Sequence, residues 1–134
     1  MTAKQLRYFC GTAVMASCLL WGGRRAGGEG VGERIVRLAE LGIDPAQLED
    51  YKAALREEIE TSIRVEPGVL TLYAVSVKGH PDQIRLFETY RNAAAYQAHL
   101  ESAHFKRYKS RTQGMVKSLT LVETEPILLG AKSR

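Results

Sequence analysis

Cysteine, long apolar runs and an excess of one charge are all scarce in this sequence. Its two cysteines, Cys10 and Cys18, both lie near the amino terminus, so the rest of the chain has no thiol, disulfide or cysteine-based metal site. No apolar run reaches the roughly 18 residues of a transmembrane helix. Beyond residue 30 the chain carries 15 basic and 14 acidic residues, which gives no electrostatic basis for binding nucleic acid.

The first 30 residues have the pattern of a targeting segment. Lys4 and Arg7 precede an apolar stretch from Tyr8 to Trp21, and a glycine-rich stretch follows it. This order is typical of a secretory signal and predicts export to the periplasm or cell envelope.

The processing of this segment is left open by the sequence. Residues 15–18 (MASC) resemble a lipoprotein signal that would place a lipid on Cys18 and hold the body near a membrane. A conventional cut around residues 26–30 is the alternative. If the segment is instead an untidy tail or a misplaced start, the protein is cytoplasmic.

Residues 31–134 are predicted to form one globular domain, because 45% of the whole chain is apolar and 25% charged. Residues 33–41 predict a strand ended by Gly42, and Asp44-Pro45 predicts a helix start. Apolar residues then recur at spacings of three and four, which predicts a helical stripe. The stripe is Leu48, Tyr51, Leu55, Ile59 and Ile63, and the glutamates at 57, 58 and 60 are predicted to face solvent.

The second half of the domain predicts a hairpin, two helical stretches and a last strand. Strands are expected at 69–78 and 83–91, joined by residues 79–82, with a final strand at 118–122. Asn92 and Ser102 are expected to cap helices, the second carrying Phe105, Tyr108, Met115 and Val116. The order strand, helix, strand, strand, helix, strand is that of the α+β ferredoxin-like βαββαβ fold.

The strand at 69–78 is apolar on both faces. Val69, Tyr73 and Val75 alternate with Leu70 and Leu72. Two helices can cover only one face of such a sheet, so the other face is expected to meet a partner. A homodimer packed sheet to sheet is the simplest arrangement.

One segment, residues 86–108, links this pattern to a known family. It carries Glu88 and Tyr90 at the end of a strand, Ala95 and His99 in a helix, and a following His104-Phe105 pair. In these features the chain resembles the antibiotic biosynthesis monooxygenase (ABM) family, and in particular bacterial quinol monooxygenases. The resemblance spans about residues 34–129 and implies a dimeric α+β barrel. It also implies a ligand cavity between sheet and helices, and cofactor-independent oxidation of a quinol or polyphenol by O₂.

The resemblance points to His99 as the proton acceptor, with Tyr90 and His104 orienting the aromatic substrate. The structural alternatives are a core tyrosine and a histidine that ties a helix to the sheet. Further candidates for substrate contact are aromatic or acidic, and most of these are equally suited to the core. They are Tyr73, Phe87, Glu88, Tyr96, Phe105 and Tyr108.

No metal or organic cofactor is expected. His99 and His104 are five residues apart, not the four that align two ligands on one helix, and no H-E-x-x-H motif exists. No glycine-rich loop follows a strand in the pattern that a dinucleotide or phosphate site needs. Haem degradation is disfavoured, since those relatives have an Asn on the first strand and a Trp where Tyr90 stands. An isomerase and a non-catalytic binding protein for hydrophobic ligands remain as alternatives.

Overall fold

The sheet and its helices account for most of residues 34–132, the part of the chain that the computed structural model describes. The strands are all antiparallel, and their spatial order is second, third, first, fourth. This confirms the ferredoxin-like prediction. The elements in chain order are β1 (Ile35–Ile43), a 3₁₀ turn (Pro45–Gln47), α1 (Leu48–Val65), β2 (Val69–Val77), β3 (His80–Tyr90), α2 (Ala93–Glu101), α3 (Ala103–Thr112) and β4 (Val116–Glu123).

The leader predicted for residues 1–30, with both cysteines, lies outside the described residues. Among residues 34–132, none of the helices has the length and apolar character needed to cross a membrane.

The main core lies between the central strands and α1. Ala39, Leu41 and Ile43 alternate along β1 and pack with Ile84 of β3. From α1, the buried side chains of Tyr51 and Leu55 close this core, as the predicted stripe requires. A second cluster, at the other end of the sheet, is described with the site below.

The prediction that Gly42 ends the first strand is wrong. β1 continues to Ile43, and the register against β4 shifts between Gly42 and Ile43. A Cβ at position 42 would lie 2.5 Å from the Ser118 hydroxyl oxygen. The glycine therefore lets β4 approach closely where its register changes, which is a common role of glycine inside a strand.

The hairpin connection is shorter than residues 79–82. β3 already begins at His80, so the turn consists of Lys78 and Gly79, and Gly79 takes a positive φ of 82°. The register between β2 and β3 shifts between Ser76 and Val77, where Pro81 can be accommodated without a ladder hydrogen bond.

Two expectations for α1 are wrong for one geometric reason. Ile63 is 49% exposed, whereas Glu58, predicted to face solvent, is only 6% exposed. Each four-residue step rotates a helical position by roughly 40°, so three such steps from Tyr51 leave the buried face. The buried face instead runs through Tyr51, Leu55, Glu58 and Ser62.

The helical region after β3 is divided in two. Asn92 caps α2 through the Ala95 N–H and Ser102 caps α3 through the Phe105 N–H, both as predicted. The helix ends at Thr112, however, so Met115 lies beyond it and Val116 begins β4.

The outer face of the sheet, which lies away from the helices, is apolar and open. Tyr73 is 67% exposed, Val75 50% and Phe87 47%. Tyr73 and Phe87 are directly paired across β2 and β3. The apolar second face predicted for this sheet is therefore present.

Candidate functional site

The candidate site forms where the end of α1, the end of β3 and the break between α2 and α3 meet. The break depends on Ser102, whose backbone is extended (φ −63°, ψ 145°) and whose hydroxyl caps α3. Because the chain turns there, His99 and His104 approach the same carboxylate, which belongs to Glu66. His99 Nδ1 lies 2.9 Å and His104 Nε2 2.6 Å from Oε1 of Glu66.

Glu58 completes what we call the carboxylate–histidine cluster: Glu58, Glu66, His99 and His104. Oε1 of Glu58 lies 3.7 Å from Nε2 of His99 and accepts a hydrogen bond of 2.7 Å from the Ser62 hydroxyl. Glu58 and His99 are almost fully buried, at 6% and 2% exposed. The cluster is thus a network of titratable groups inside the protein.

The pKa values of the two carboxyl groups of the cluster are shifted in opposite directions. Burial raises the pKa of Glu58, and the hydrogen bond from Ser62 and the nearby histidines only partly offset this. Burial also acts to raise the pKa of Glu66, but the hydrogen bonds with His99 and His104 outweigh it and lower that pKa. Glu66 is therefore the more readily ionised partner of the two histidines.

Tyr90 and Glu88 lie beside the cluster on the helix-facing side of β3. The Tyr90 hydroxyl donates a 3.0 Å hydrogen bond to Oε2 of Glu88. The Tyr90 ring centroid lies 5.3 Å from that of His99 and 5.1 Å from that of Tyr96. Burial, followed by the charge of Glu88, raises the pKa of Tyr90, and burial raises the pKa of Glu88. The phenol therefore remains a proton donor.

Further aromatic side chains enclose the cluster on the α3 side. The ring centroid of Phe105 lies 4.6 Å from that of His99, and the hydroxyl oxygens of Tyr51 and Tyr108 are 2.7 Å apart. Burial raises the pKa of Tyr51 to about 12 and that of Tyr108 well above its ordinary value. Both phenols are protonated at physiological pH.

A cavity of about 540 Å³ lies between α1 and the β2–β3 hairpin. Its walls include the apolar side chains of Leu55, Ile59, Leu72 and Ile84. Ile59 and Leu72 also pack in the second core cluster, against Tyr90. The cavity therefore borders the core cluster that contains Tyr90.

The structure brings the three predicted catalytic residues, His99, Tyr90 and His104, together. Around them it places four of the six candidate contact residues: Glu88, Tyr96, Phe105 and Tyr108. Tyr73 and Phe87 are paired on the outer face of the sheet, and Tyr73 also borders the cavity. None of His99, Tyr90 and His104 lines the 540 Å³ cavity.

Sequence reasoning missed Glu58 and Glu66. Glu58 is four residues before Ser62 and three after Leu55, a spacing that places it on the buried face of α1. Glu66 follows the last turn of α1 in a Glu-Pro-Gly turn, and no local signal marks it as the partner of two distant histidines. The five-residue spacing of His99 and His104 argues against a metal site only if both lie on one helix. The break at Ser102 places them on two helices, so that argument does not apply.

The chain matches a family model described as antibiotic biosynthesis monooxygenase over residues 34–111. None of the curated proteins is significantly similar to it. A candidate antibiotic biosynthesis monooxygenase of known structure from Bacteroides thetaiotaomicron VPI-5482 is 46% identical, with a TM-score of 0.74 over 78% of this chain and 100% of that one.

Two other solved structures show the same fold. A candidate monooxygenase from Lactobacillus acidophilus NCFM is 30% identical with a TM-score of 0.66, over 67% of this chain but only 43% of that one. A candidate antibiotic biosynthesis monooxygenase from Nitrosomonas europaea is 24% identical with a TM-score of 0.67, over 72% of this chain and 92% of that one.

Proposed function

The chain belongs to the antibiotic biosynthesis monooxygenase family, and on this premise we propose that it oxidises a quinol or polyphenol with O₂, without a cofactor. One observation carries the proposal. A mostly apolar cavity large enough for an aromatic ring shares Ile59 and Leu72 with the core cluster that contains Tyr90, and the His99 ring centroid lies 5.3 Å from that of Tyr90.

The reaction needs little from the protein because the substrate is itself the reductant. One quinol and one O₂ give one hydroxyquinone and one water, and the quinol supplies all the electrons. The protein's part is to remove a phenolic proton and to exclude water while oxygen reacts. The mostly apolar lining of the cavity favours an aromatic substrate, although Lys52, Arg56 and Glu60 also line it.

His99 is the proposed proton acceptor. With its Nδ1–H donating to Glu66, its Nε2 is the acceptor nitrogen, and a substrate in the cavity reaches it only by displacing side chains of the cluster that contains Leu72 and Tyr90. Tyr90, held by Glu88, offers an aromatic face and a fixed hydroxyl beside His99. His104 shares Glu66 with His99 and so holds the carboxylate in place.

Oxygen consumption with a panel of quinols tests this assignment. His99→Asn preserves a donor near the position of Nδ1 but removes Nε2, and we expect it to slow oxygen uptake about 100-fold, as expected for a positioned acid–base group. His80→Ala is the matched control, because His80 lies in the hairpin and is exposed. A loss smaller than about tenfold for His99→Asn would reject the site assignment.

The same panel separates the alternative functions. Turnover of a dione without oxygen would assign an isomerase, which needs the proton acceptor but no O₂. Saturable quinol binding with no turnover by the unmodified protein would assign a binding protein. Either result overturns the oxygenase proposal.

We further propose that the protein is a homodimer through the outer face of its sheet. The support is the exposed apolar group of Tyr73, Val75 and Phe87, which is unusual on a soluble monomer. Sedimentation at micromolar concentration should give a dimer that Phe87→Asp dissociates. Ile63→Asp is the control, because Ile63 is 49% exposed but lies on α1. A monomeric unmodified protein would contradict the proposal.

A further inference from the structure

Three side chains of the carboxylate–histidine cluster have the chemistry of a metal site. Glu58, His99 and His104 each present one ligand atom, and these atoms all lie within 4.8 Å of one another. Two imidazole nitrogens and one carboxylate oxygen are a donor set that divalent zinc accepts, with a fourth position left for water. The set combines residues of α1, α2 and α3.

The spacing is already close to that of a bound ion. In a tetrahedral zinc site two ligand atoms at ordinary bond lengths are roughly 3.3 Å apart. Nε2 of His99 and Oε1 of Glu58 are separated by 3.7 Å. No separation between the three ligand atoms exceeds 4.8 Å, so binding an ion requires each of them to close by at most about 1.5 Å.

Glu66 orients the two imidazoles for this role. A histidine that binds a metal through one nitrogen commonly donates its other N–H to a carboxylate. Nδ1 of His99 contacts Oε1 of Glu66, so Nε2, the nitrogen beside Glu58, is the one left for an ion, and Nε2 of His104 contacts the same oxygen of Glu66. The cluster thus provides three ligands and a carboxylate that orients both imidazoles.

A small cavity gives the cluster access to solvent. It has a volume of about 50 Å³, lies between α1 and α3, and is lined by Glu58 and His104 among others. This is enough room for at least one water molecule. An ion at the cluster would therefore have an entrance and a position for a water ligand.

We propose that Glu58, His99 and His104 bind one divalent transition-metal ion of the zinc class. The ion would add positive charge beside the carboxyl groups of Glu58 and Glu66 inside the protein. It would also occupy Nε2 of His99, so the metal-bound form would be unable to use His99 as a proton acceptor. The proposal concerns binding alone and does not require the oxygenase function.

Metal-stripped full-length protein, titrated with Co²⁺ and with Zn²⁺, tests the proposal. Cys10→Ser and Cys18→Ser are included in every variant, because thiols bind both ions. We expect one ion per chain, with a Co²⁺ visible absorption typical of low coordination number. Glu58→Gln and His104→Ala should each weaken binding at least tenfold, whereas His80→Ala should not.

Glu58→Gln is nearly isosteric and can still accept the Ser62 hydrogen bond, so its effect reports the lost charge and not a lost fold. Circular dichroism of each variant verifies folding. Absence of stoichiometric binding, or binding that Glu58→Gln and His104→Ala leave unchanged, would overturn the proposal. Oxygen uptake by the metal-free protein is measured separately, so failure of the metal site and failure of the oxygenase proposal give different results.

Discussion

Tyr90 donates its hydroxyl hydrogen to Oε2 of Glu88, 3.0 Å away and two positions earlier on the same strand. Tyr90 has no exposed surface. Because alternate residues of a strand share a face, this pair extends the polar network from the α1–α2–α3 junction onto the sheet. The hydroxyl partly offsets the cost of burying the carboxylate of Glu88.

Replacing Tyr90 by Phe should destabilise the protein by about 1–3 kcal/mol, the usual cost of leaving a buried acceptor without its partner. The aromatic packing with Tyr96 and His99 is retained, so the change isolates the hydroxyl. Urea unfolding measures the change in the free energy of unfolding. Ser110→Ala is the control, since it also removes a hydroxyl but Ser110 is exposed on α3, and it should have no measurable effect. Equal stabilities for the two variants would contradict this account of the pair.

Replacing Glu88 by Gln should stabilise the protein at neutral pH. Burial raises the pKa of Glu88, against the opposing effects of Tyr90, His99 and Arg37, while Glu58 adds to the rise. A carboxyl group whose pKa is raised on folding has no electrostatic cost below its unfolded pKa, and the cost grows as the pH rises toward the folded pKa. The increase in stability from Glu88→Gln should therefore be present at pH 7 and vanish below about pH 4.

Thermal unfolding of Glu88→Gln and of the unmodified protein across this pH range measures the effect. Glu101→Gln is the control, because Glu101 is exposed and pairs with Lys106 at the surface. If Glu88→Gln raises the stability by the same amount at every pH, or lowers it at pH 7, the charge of Glu88 is fully compensated in the folded state.

The fold could be predicted because its signals are local. Alternation in β1 and β2, the Asp44-Pro45 start, and the caps at Asn92 and Ser102 each determine an element from a few neighbouring residues. The errors occur where local rules compete with packing. Gly42 has the features of a strand terminus, but close approach of Ser118 in β4 keeps it inside β1.

The site could be predicted only in part. His99, Tyr90 and His104 were identified from their resemblance to a family pattern, not from any spacing that places them together. Glu66, the common partner of His99 and His104, lies more than 30 positions before them, and no sequence period connects the end of α1 with α2 and α3. Glu58 was assigned to solvent because the four-residue stripe was extended one turn too far.

The paired hydroxyls of Tyr51 and Tyr108 should show a favourable coupling in stability. They are 2.7 Å apart and largely removed from water. Tyr51→Phe and Tyr108→Phe should each destabilise the protein, since each leaves a hydroxyl without this partner. The double variant should lose less stability than the two single variants lose together. The difference, a coupling energy of about 1 kcal/mol, is measured by urea unfolding. Strict additivity would show that the two hydroxyls do not depend on each other.

Gly68 controls how closely α2 approaches the sheet. A Cβ at position 68 would overlap the Cβ of Ala95 and lie 3.4 Å from its Cα. The Gly68 carbonyl also accepts a 2.8 Å hydrogen bond from the Arg91 N–H, which fixes the backbone just before β2. The backbone can therefore relieve the overlap only by moving α2, the helix that carries His99.

Gly68→Ala should accordingly destabilise the protein by about 1–3 kcal/mol, as overpacking does elsewhere. Gly114→Ala is the matched control: its Cβ would meet nothing within 4 Å and its φ is not positive, so it should be neutral or slightly stabilising. Ala95→Gly in the Gly68→Ala background removes the overlapping methyl group. The double variant should recover stability relative to Gly68→Ala, although Ala95→Gly alone costs up to about 1 kcal/mol of helix propensity. If this second change gives no recovery, the contact with Ala95 does not set the position of α2. If it does, oxygen uptake and metal binding measured on the same three proteins report whether the position of His99 follows that of the helix.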